Sequence, residues 1–172
     1  MRYDATVTPL ETQALFDLQG PAGALRDWLR EASPGAPLSA LPDRPNSARA
    51  EGGATLMHLG PEHWILRADL AREAALEAAL RPAEAPPALS VVRISDTLSF
   101  FRITGSEASE IMAIACPLDL HPESFGPQAA SFTAAFGTKA LVSRCEGGFD
   151  LAVERSFAPY VAEALATATG TG

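Results

Sequence analysis

Three histidines, two cysteines and a handful of carboxylates are the side chains in this sequence that could carry chemistry. His58 and His63 flank a hairpin turn, with Glu62 beside them in Leu59-Gly60-Pro61-Glu62-His63. Two imidazoles and a carboxylate near one turn could share a metal ion. A structural site asks for four ligands, however, and a catalytic site for three with an open position, so surface turn residues are the plainer reading. His121 follows Asp119 by two residues in Leu118-Asp119-Leu120-His121-Pro122. That spacing suits a general base and the carboxylate that orients it; the plainer role is a loop histidine that fixes local structure. Cys116 ends a helical stretch just before Pro117. A reactive thiolate favours a helix N-terminus or a basic neighbour, so Cys116 reads as buried and inert. Cys145 falls in a strand, as core or a neutral edge. None of the serines between Ser90 and Ser143 stands in a GxSxG turn, and none pairs with a histidine in sequence. There is no GxGxxG and no GxxxxGK[ST], hence no dinucleotide or triphosphate signature. Asp96 follows a strand and could reach a pocket, but a turn explains it equally. No residue is assigned a catalytic, cofactor-binding or metal-binding role.

The elements that would position these groups are clearest in the run Ser99 to His121. Phe101 and Ile103 share one face of a strand, Phe100 and Arg102 the other. Gly105 supplies a turn, Ser106 is suited to cap the following helix, and Glu107 and Glu110 place negative charge in its first turn. Ala108, Ile111, Met112 and Ala115 have the spacing of one buried helical face. Pro117 disfavours helical angles at Cys116 and ends the helix there.

Around this run the chain alternates short strands and helices. Ala5-Thr6-Val7-Thr8 and Ala14-Leu15-Phe16-Asp17-Leu18 read as strands and 21–32 as a helix with Leu25, Trp28 and Leu29 on one stripe. Ser33 to Gly53 reads as a long loop, either mobile or laid against something. Residues 54–59 and 63–67 form a hairpin, and a helix with Leu70, Leu76 and Leu80 follows, capped by Asp69. Pro82 to Ala88 reads as a short stiff linker. In the second half, 89–95, 131–136, 140–145 and 149–154 read as strands, with Phe132, Ala134 and Phe136 on a common face. Ser156 is expected to cap a last helix whose inner side carries Phe157, Tyr160, Val161, Ala164 and Leu165, and Thr167 to Gly172 is expected to fray.

The two halves can be laid over each other. The shift that places Thr12 on Thr97 also places Phe16 on Phe101, Gly20 on Gly105, Trp64 on Phe149 and Leu66 on Leu151. The order of elements matches as well. The sequence therefore predicts an α+β protein made by tandem duplication: two pseudo-repeated lobes resembling split ferredoxin-like units. The boundaries expected are 1–81 for the first lobe, 82–88 for the linker and 89–172 for the second lobe, packed as one unit. One irregular α+β domain is the alternative.

Composition narrows the function. With 47% hydrophobic residues the chain can build a core, and with Asp+Glu 21 against Lys+Arg 13 its formal net charge is -8. That balance argues against nucleic acid, whose phosphates call for clustered Lys and Arg, and against an anionic membrane surface. No apolar run approaches the roughly 18–20 residues of a membrane span, and Met1-Arg2-Tyr3-Asp4 lacks the apolar core of a signal peptide. Cys116 and Cys145 form no CxxC pair. A cytoplasmic protein with free thiols is expected.

Three segments carry a family resemblance. Leu59-Gly60-Pro61-Glu62-His63-Trp64-Ile65-Leu66 resembles the LGPxxWLL signature of the gamma subunit of heterotetrameric sarcosine oxidase. Cys116-Pro117-Leu118-Asp119-Leu120-His121-Pro122 is similar to that family's C(P/A)LDLHP segment, and Gly148-Phe149-Asp150-Leu151-Ala152-Val153-Glu154-Arg155-Ser156-Phe157-Ala158-Pro159-Tyr160 to its GFDLxVxRSFAxY segment. The resemblance spans roughly residues 10 to 166 and implies an aminomethyltransferase-like, folate-binding-domain fold. It implies a place in a complex that oxidatively demethylates sarcosine or a related N-methyl amino acid. Such a complex passes the one-carbon unit to tetrahydrofolate and makes hydrogen peroxide. The resemblance further implies alpha, beta and delta subunits as partners, alpha being the main contact. FAD, FMN, NAD, zinc and tetrahydrofolate are then carried by other subunits, and no catalytic residue by this one. On that reading the chain is a structural, assembly subunit and exposes an apolar patch. The alternative is a stand-alone folate-dependent aminomethyltransferase-like enzyme, which tetrahydrofolate binding would reveal; a domain binding some unrelated protein is the third option.

Overall fold

The structure, a computed structural model, describes residues 3–32, 40–42 and 44–170. In chain order the elements are β1 (Thr6–Pro9), β2 (Gln13–Gln19), α1 (Ala22–Ala32), β3 (Ser47–Glu51), β4 (Ala54–Gly60), β5 (His63–Asp69), α2 (Glu73–Leu80), β6 (Ser90–Arg93), β7 (Leu98–Thr104), α3 (Ala108–Ala113), β8 (Ala130–Ala135), β9 (Thr138–Cys145), β10 (Gly148–Glu154) and α4 (Ala158–Thr169). Single 3-10 turns at Leu70–Arg72, Pro82–Glu84 and Arg155–Phe157 join them. No helix is long and apolar enough to cross a membrane, among the described residues.

The chain divides into two compact units, Thr12–Ser95 and Met1–Glu11 with Asp96–Gly172. The first holds a five-stranded sheet in the order β3-β4-β5-β2-β6, the second a five-stranded sheet in the order β1-β7-β10-β9-β8. These are the same order read in opposite directions, so the α+β duplication read from the sequence holds element by element. The shift that carries Thr12 to Thr97 also carries β2 onto β7, β5 onto β10, and the 3-10 turn after β5 onto the one after β10. All pairing is antiparallel. That is what split βαβ units give, since their two parallel strands are held apart by an antiparallel one: β5 stands between β2 and β4, and β10 between β7 and β9. Here β3 and β8 add one more reversal between helix and hairpin.

The compact units are not the expected halves 1–81 and 89–172. β1 pairs with β7, Val7 opposite Ile103, and β6 pairs with β2, Val91 opposite Leu18. Each half thus lends its first strand to the sheet of the other, and 82–88 lies inside the first unit, partly as a 3-10 turn. Period-2 patterning decides which face of a strand is buried; it does not say which edge the strand joins. Both lent strands are edge strands, where Pro9, lacking an N–H, disturbs no interior ladder.

Other differences have similar local causes. β3 lies in the stretch read as a loop: Ser-Ala-Arg-Ala-Glu has little β propensity, and pairing with β4 imposes the strand. Leu41, in the same stretch, is buried with Leu25, Leu29 and Trp64; residues 33–39 and 43 lie outside the described residues. Asp69 and Ser156 cap nothing, because 3-10 turns separate them from α2 and α4 or contain them. Ser106 donates its hydroxyl to Asp4 instead, and α3 starts two residues later without a side-chain cap. Phe136 sits beyond β8 in a turn with φ 50°, so it joins the core with Ala135 while Phe132 lies under Lys139. α4 runs on to Thr169, only 2% exposed, whose hydroxyl donates to the Leu165 carbonyl. Residues 171–172 of the expected tail lie outside the described residues.

Each unit packs its helices on one face of its sheet. Phe16, Leu18, Trp64, Leu66, Leu76 and Leu80 anchor one apolar cluster. Phe101, Ile103, Met112, Phe149, Leu151 and Val161 anchor the other. β10 is buried on both faces, Asp150 and Ala152 included.

Candidate functional site

The hairpin histidines do not converge. A bulge between His58 and Gly60 puts His58 opposite Trp64 and Gly60 opposite His63. The His58 ring stacks on Trp64, centroids 4.8 Å apart and 18° from coplanar, and its Nδ1 is buried without a hydrogen-bond partner among the described residues. His63 turns to β2 instead, Nε2 2.7 Å from Asp17 Oδ1. The Gln19 side-chain amide donates to the other Asp17 oxygen at 2.9 Å. Glu62 occupies the turn with φ 53°. Among the described residues no three of His, Cys, Asp and Glu come close enough to hold a metal ion. The His63 side borders an open, mainly polar cleft of about 370 Å³ with Gln19, Gly20, Glu62 and Ser90.

The Asp119 and His121 pair is a loop clasp. Asp119 accepts the backbone N–H of His121 at 3.0 Å and the hydroxyl of Ser124 at 2.6 Å. The His121 Nδ1 in turn accepts the Glu123 N–H at 3.3 Å. The carboxylate therefore bonds backbone and hydroxyl, not the imidazole, and it orients no base. The Ser124 hydroxyl first, then the His121 N–H, pull the Asp119 carboxyl below its ordinary range. Arg144 fastens the same loop to β9: its guanidinium donates to the carbonyls of Leu120 and Phe125 at 2.6–3.0 Å and lies 4.3 Å over the Phe149 ring. Burial pushes the Arg144 pKa down.

Cys116 is buried at the foot of α3, as its place before Pro117 suggests. Cys145 is half-buried next to Arg102 and Asp150, and burial first, then the Asp150 charge, push its thiol pKa up. Asp96 is exposed; its carbonyl accepts from Arg155 at 3.4 Å, a turn role. Ser95 is buried and accepts the Leu15 N–H.

Sequence reasoning missed the Arg102–Asp150 pair. The two stand opposite each other on β7 and β10, and the fork is bidentate, 2.7 and 2.9 Å, on a carboxylate only 3% exposed. The available signal was charge of opposite sign on two strands that the repeat makes neighbours. The same positions of the first unit hold Asp17 and Ile65. The fold therefore does not require the pair.

Chemistry-bearing groups being dispersed, the surface feature that stands out is apolar. Ile114, just past α3, and Tyr160, on α4, are 55% and 54% exposed, and Phe157 is 45% exposed. Tyr160 and Phe157 were expected on the inner side of the last helix. α4 starts after a 3-10 turn, and its inner stripe is Val161, Leu165 and Thr169. Ile114, Phe136, Tyr160, Glu163, Ala164 and Ala168 line a mostly apolar groove of about 440 Å³.

Solved structures share this fold, among them the following two. A heterotetrameric sarcosine oxidase from Corynebacterium sp. U-96, in complex with pyrrole 2-carboxylate, matches with a TM-score of 0.81 at 23% identity, covering 98% of this chain and 86% of that one. The glycine cleavage system aminomethyltransferase T from Bartonella henselae matches with a TM-score of 0.72 at 17% identity, covering 96% of this chain and 46% of that one. The duplicated α+β architecture is thus the one found in these two proteins. No curated protein matches the chain by sequence. The model of the sarcosine oxidase, gamma subunit family matches residues 44–170, and the chain belongs to that family.

Proposed function

We propose that this chain is a non-catalytic gamma subunit that builds and holds a heterotetrameric, sarcosine oxidase-type complex, with the alpha subunit as its main contact and beta and delta subunits beside it. The family match over residues 44–170 carries this reading. The complex demethylates sarcosine or a related N-methyl amino acid oxidatively and passes the one-carbon unit to tetrahydrofolate. FAD, FMN, NAD, zinc and tetrahydrofolate belong to the other subunits, and the complex works in the cytoplasm. The ionisable groups of this chain fit a structural role: Asp119 and Arg144 tie down a loop, and Arg102 and Asp150 neutralise each other within a sheet. The exposed Ile114 and Tyr160 suit a protein that meets another chain, because large apolar side chains grouped around a groove mark an interaction surface.

Co-production of the full chain with the alpha, beta and delta subunits tests the proposal. The expected result is a flavin-containing assembly that retains this chain through purification and makes hydrogen peroxide from sarcosine. Leaving the chain out is expected to lower the yield of assembled complex. An active flavoenzyme that assembles fully without the chain and does not retain it would overturn the reading. So would saturable tetrahydrofolate binding by the isolated chain, followed by Trp28 and Trp64 fluorescence, which belongs to the stand-alone aminomethyltransferase alternative.

A further inference from the structure

We propose that the groove between the end of α3 and the outer face of α4 is a docking site for a basic segment of a partner subunit, one that inserts an apolar side chain between Ile114 and Tyr160 with Lys or Arg on its flanks. The inference rests on the gamma-subunit reading and says which surface does the assembling.

The internal repeat serves as a control on the fold. The 3-10 turn and helix after β10 correspond to those after β5, and their core positions agree: Val161 and Leu165 are buried where Leu76 and Leu80 are buried. At the outward positions the two copies differ. Arg72 and Ala75 stand where the second copy has Phe157 and Tyr160. One copy folds with a cation and a methyl group there, so the two aromatic rings of the other are not a requirement of the architecture. An exposed aromatic ring leaves apolar surface in water whose burial would be favourable. A subunit interface supplies that burial, and aromatic side chains are enriched at the energetic centre of interfaces.

Charge selects the occupant. Glu163 lines the groove, and Glu110 is one helical turn before Ile114, on the same side of the helix. Neither has an ion-pair partner among the described residues. Among the described residues no Lys or Arg lines the groove; Lys139, a little past Phe136 in sequence, is engaged elsewhere, its Nζ 4.4 Å over the Phe132 ring. An apolar centre edged by the unpaired Glu163, with Glu110 one helical turn from Ile114, complements an apolar anchor with basic flanks, and charges of this kind steer and orient association.

The test uses the full chain co-produced with the other subunits of its complex, the large subunit carrying the affinity tag. Retention of this chain is followed through increasing salt. Tyr160→Ala and Phe157→Arg copy the residues of the first repeat, so folding is preserved; unchanged thermal unfolding of each isolated variant checks this. The expected result is at least about a tenfold loss of affinity for the paired variant and for Ile114→Ser. Glu110→Lys with Glu163→Lys is expected to weaken association and to flatten its dependence on salt. Retention of all these variants at the wild-type level would overturn the docking site. So would a self-associated dimer of the isolated chain that Tyr160→Ala dissolves, since the occupant would then be a second copy. Loss of the wild-type chain from the complex would instead count against the gamma-subunit reading itself.

Discussion

Gly20 and Gly105 end β2 and β7 at the same place in the two sheets, and each is pinned by the chain that enters the lent strand. Their φ angles are +134° and +126°. A Cβ on Gly20 would stand 2.5 Å from the Ala88 carbonyl oxygen, and one on Gly105 would run into that of Asp4. Ala88 leads into β6 and Asp4 into β1. The exchange of first strands thus needs a residue with no side chain at both points.

Replacement of either glycine by alanine is therefore expected to destabilise the protein by about 2 kcal/mol, through a backbone angle that L-residues avoid and a clash with backbone that has little freedom to move. Urea unfolding of Gly20→Ala and Gly105→Ala measures it. Two losses within about 0.5 kcal/mol of zero would mean that the lent strands are loosely held.

Arg102→Met leaves the Asp150 carboxylate buried without its counter-charge. Because Arg102 is itself partly exposed, the expected cost is about 2 kcal/mol, below that of removing a fully buried partner. Adding Asp150→Ile, the residue type found at the same position of the first unit as Ile65, is expected to recover most of it. Chemical denaturation of the single and double variants gives the coupling directly.

The loop from Leu118 to Phe125 is expected to open in acid. The Asp119 pKa lies below its ordinary 3.8 in the native protein. The carboxylate therefore contributes stability that is fully present above the unfolded pKa and lost as pH falls through the lower native value. Hydrogen exchange of the Ser124 and Phe125 amides, followed downward from about pH 5, should show protection falling in the wild type. Asp119→Asn should exchange quickly throughout.

Cys145 is expected to alkylate slowly. Burial and the Asp150 charge raise its pKa above the ordinary 9.0, so less thiolate is present at neutral pH than in a free cysteine, and the thiolate is the nucleophile. The iodoacetamide rate at Cys145, read by mass spectrometry, should keep rising with pH past the point where a free thiol levels off. A plateau at or below that point would contradict the geometry.

Several features of the fold were legible in advance. Phe101, Ile103, Leu25, Leu29, Leu76 and Leu80 are buried as their spacing required, because strand and helix periods are local properties of the chain. The matching order of elements in the two halves, with Trp64 falling on Phe149 and Gly20 on Gly105, revealed the duplication. β3 was not legible, since Ser47–Glu51 becomes a strand through its neighbour β4 and not through its own composition. The histidines drew attention as ligands, yet which group each meets depends on a single bulge at His58 and Gly60, which no spacing rule contains.

By itself the sequence determined the α+β class, the repeat and the motifs that place the chain in its family, because residue types and short periods are written along the backbone. Tertiary structure alone decided that each half completes the sheet of the other, that Arg102 meets Asp150 and His63 meets Asp17, and that Tyr160 and Ile114 face outward. All of these depend on which segments, distant in sequence, become neighbours, and that is settled by competition among edges and faces across the whole chain.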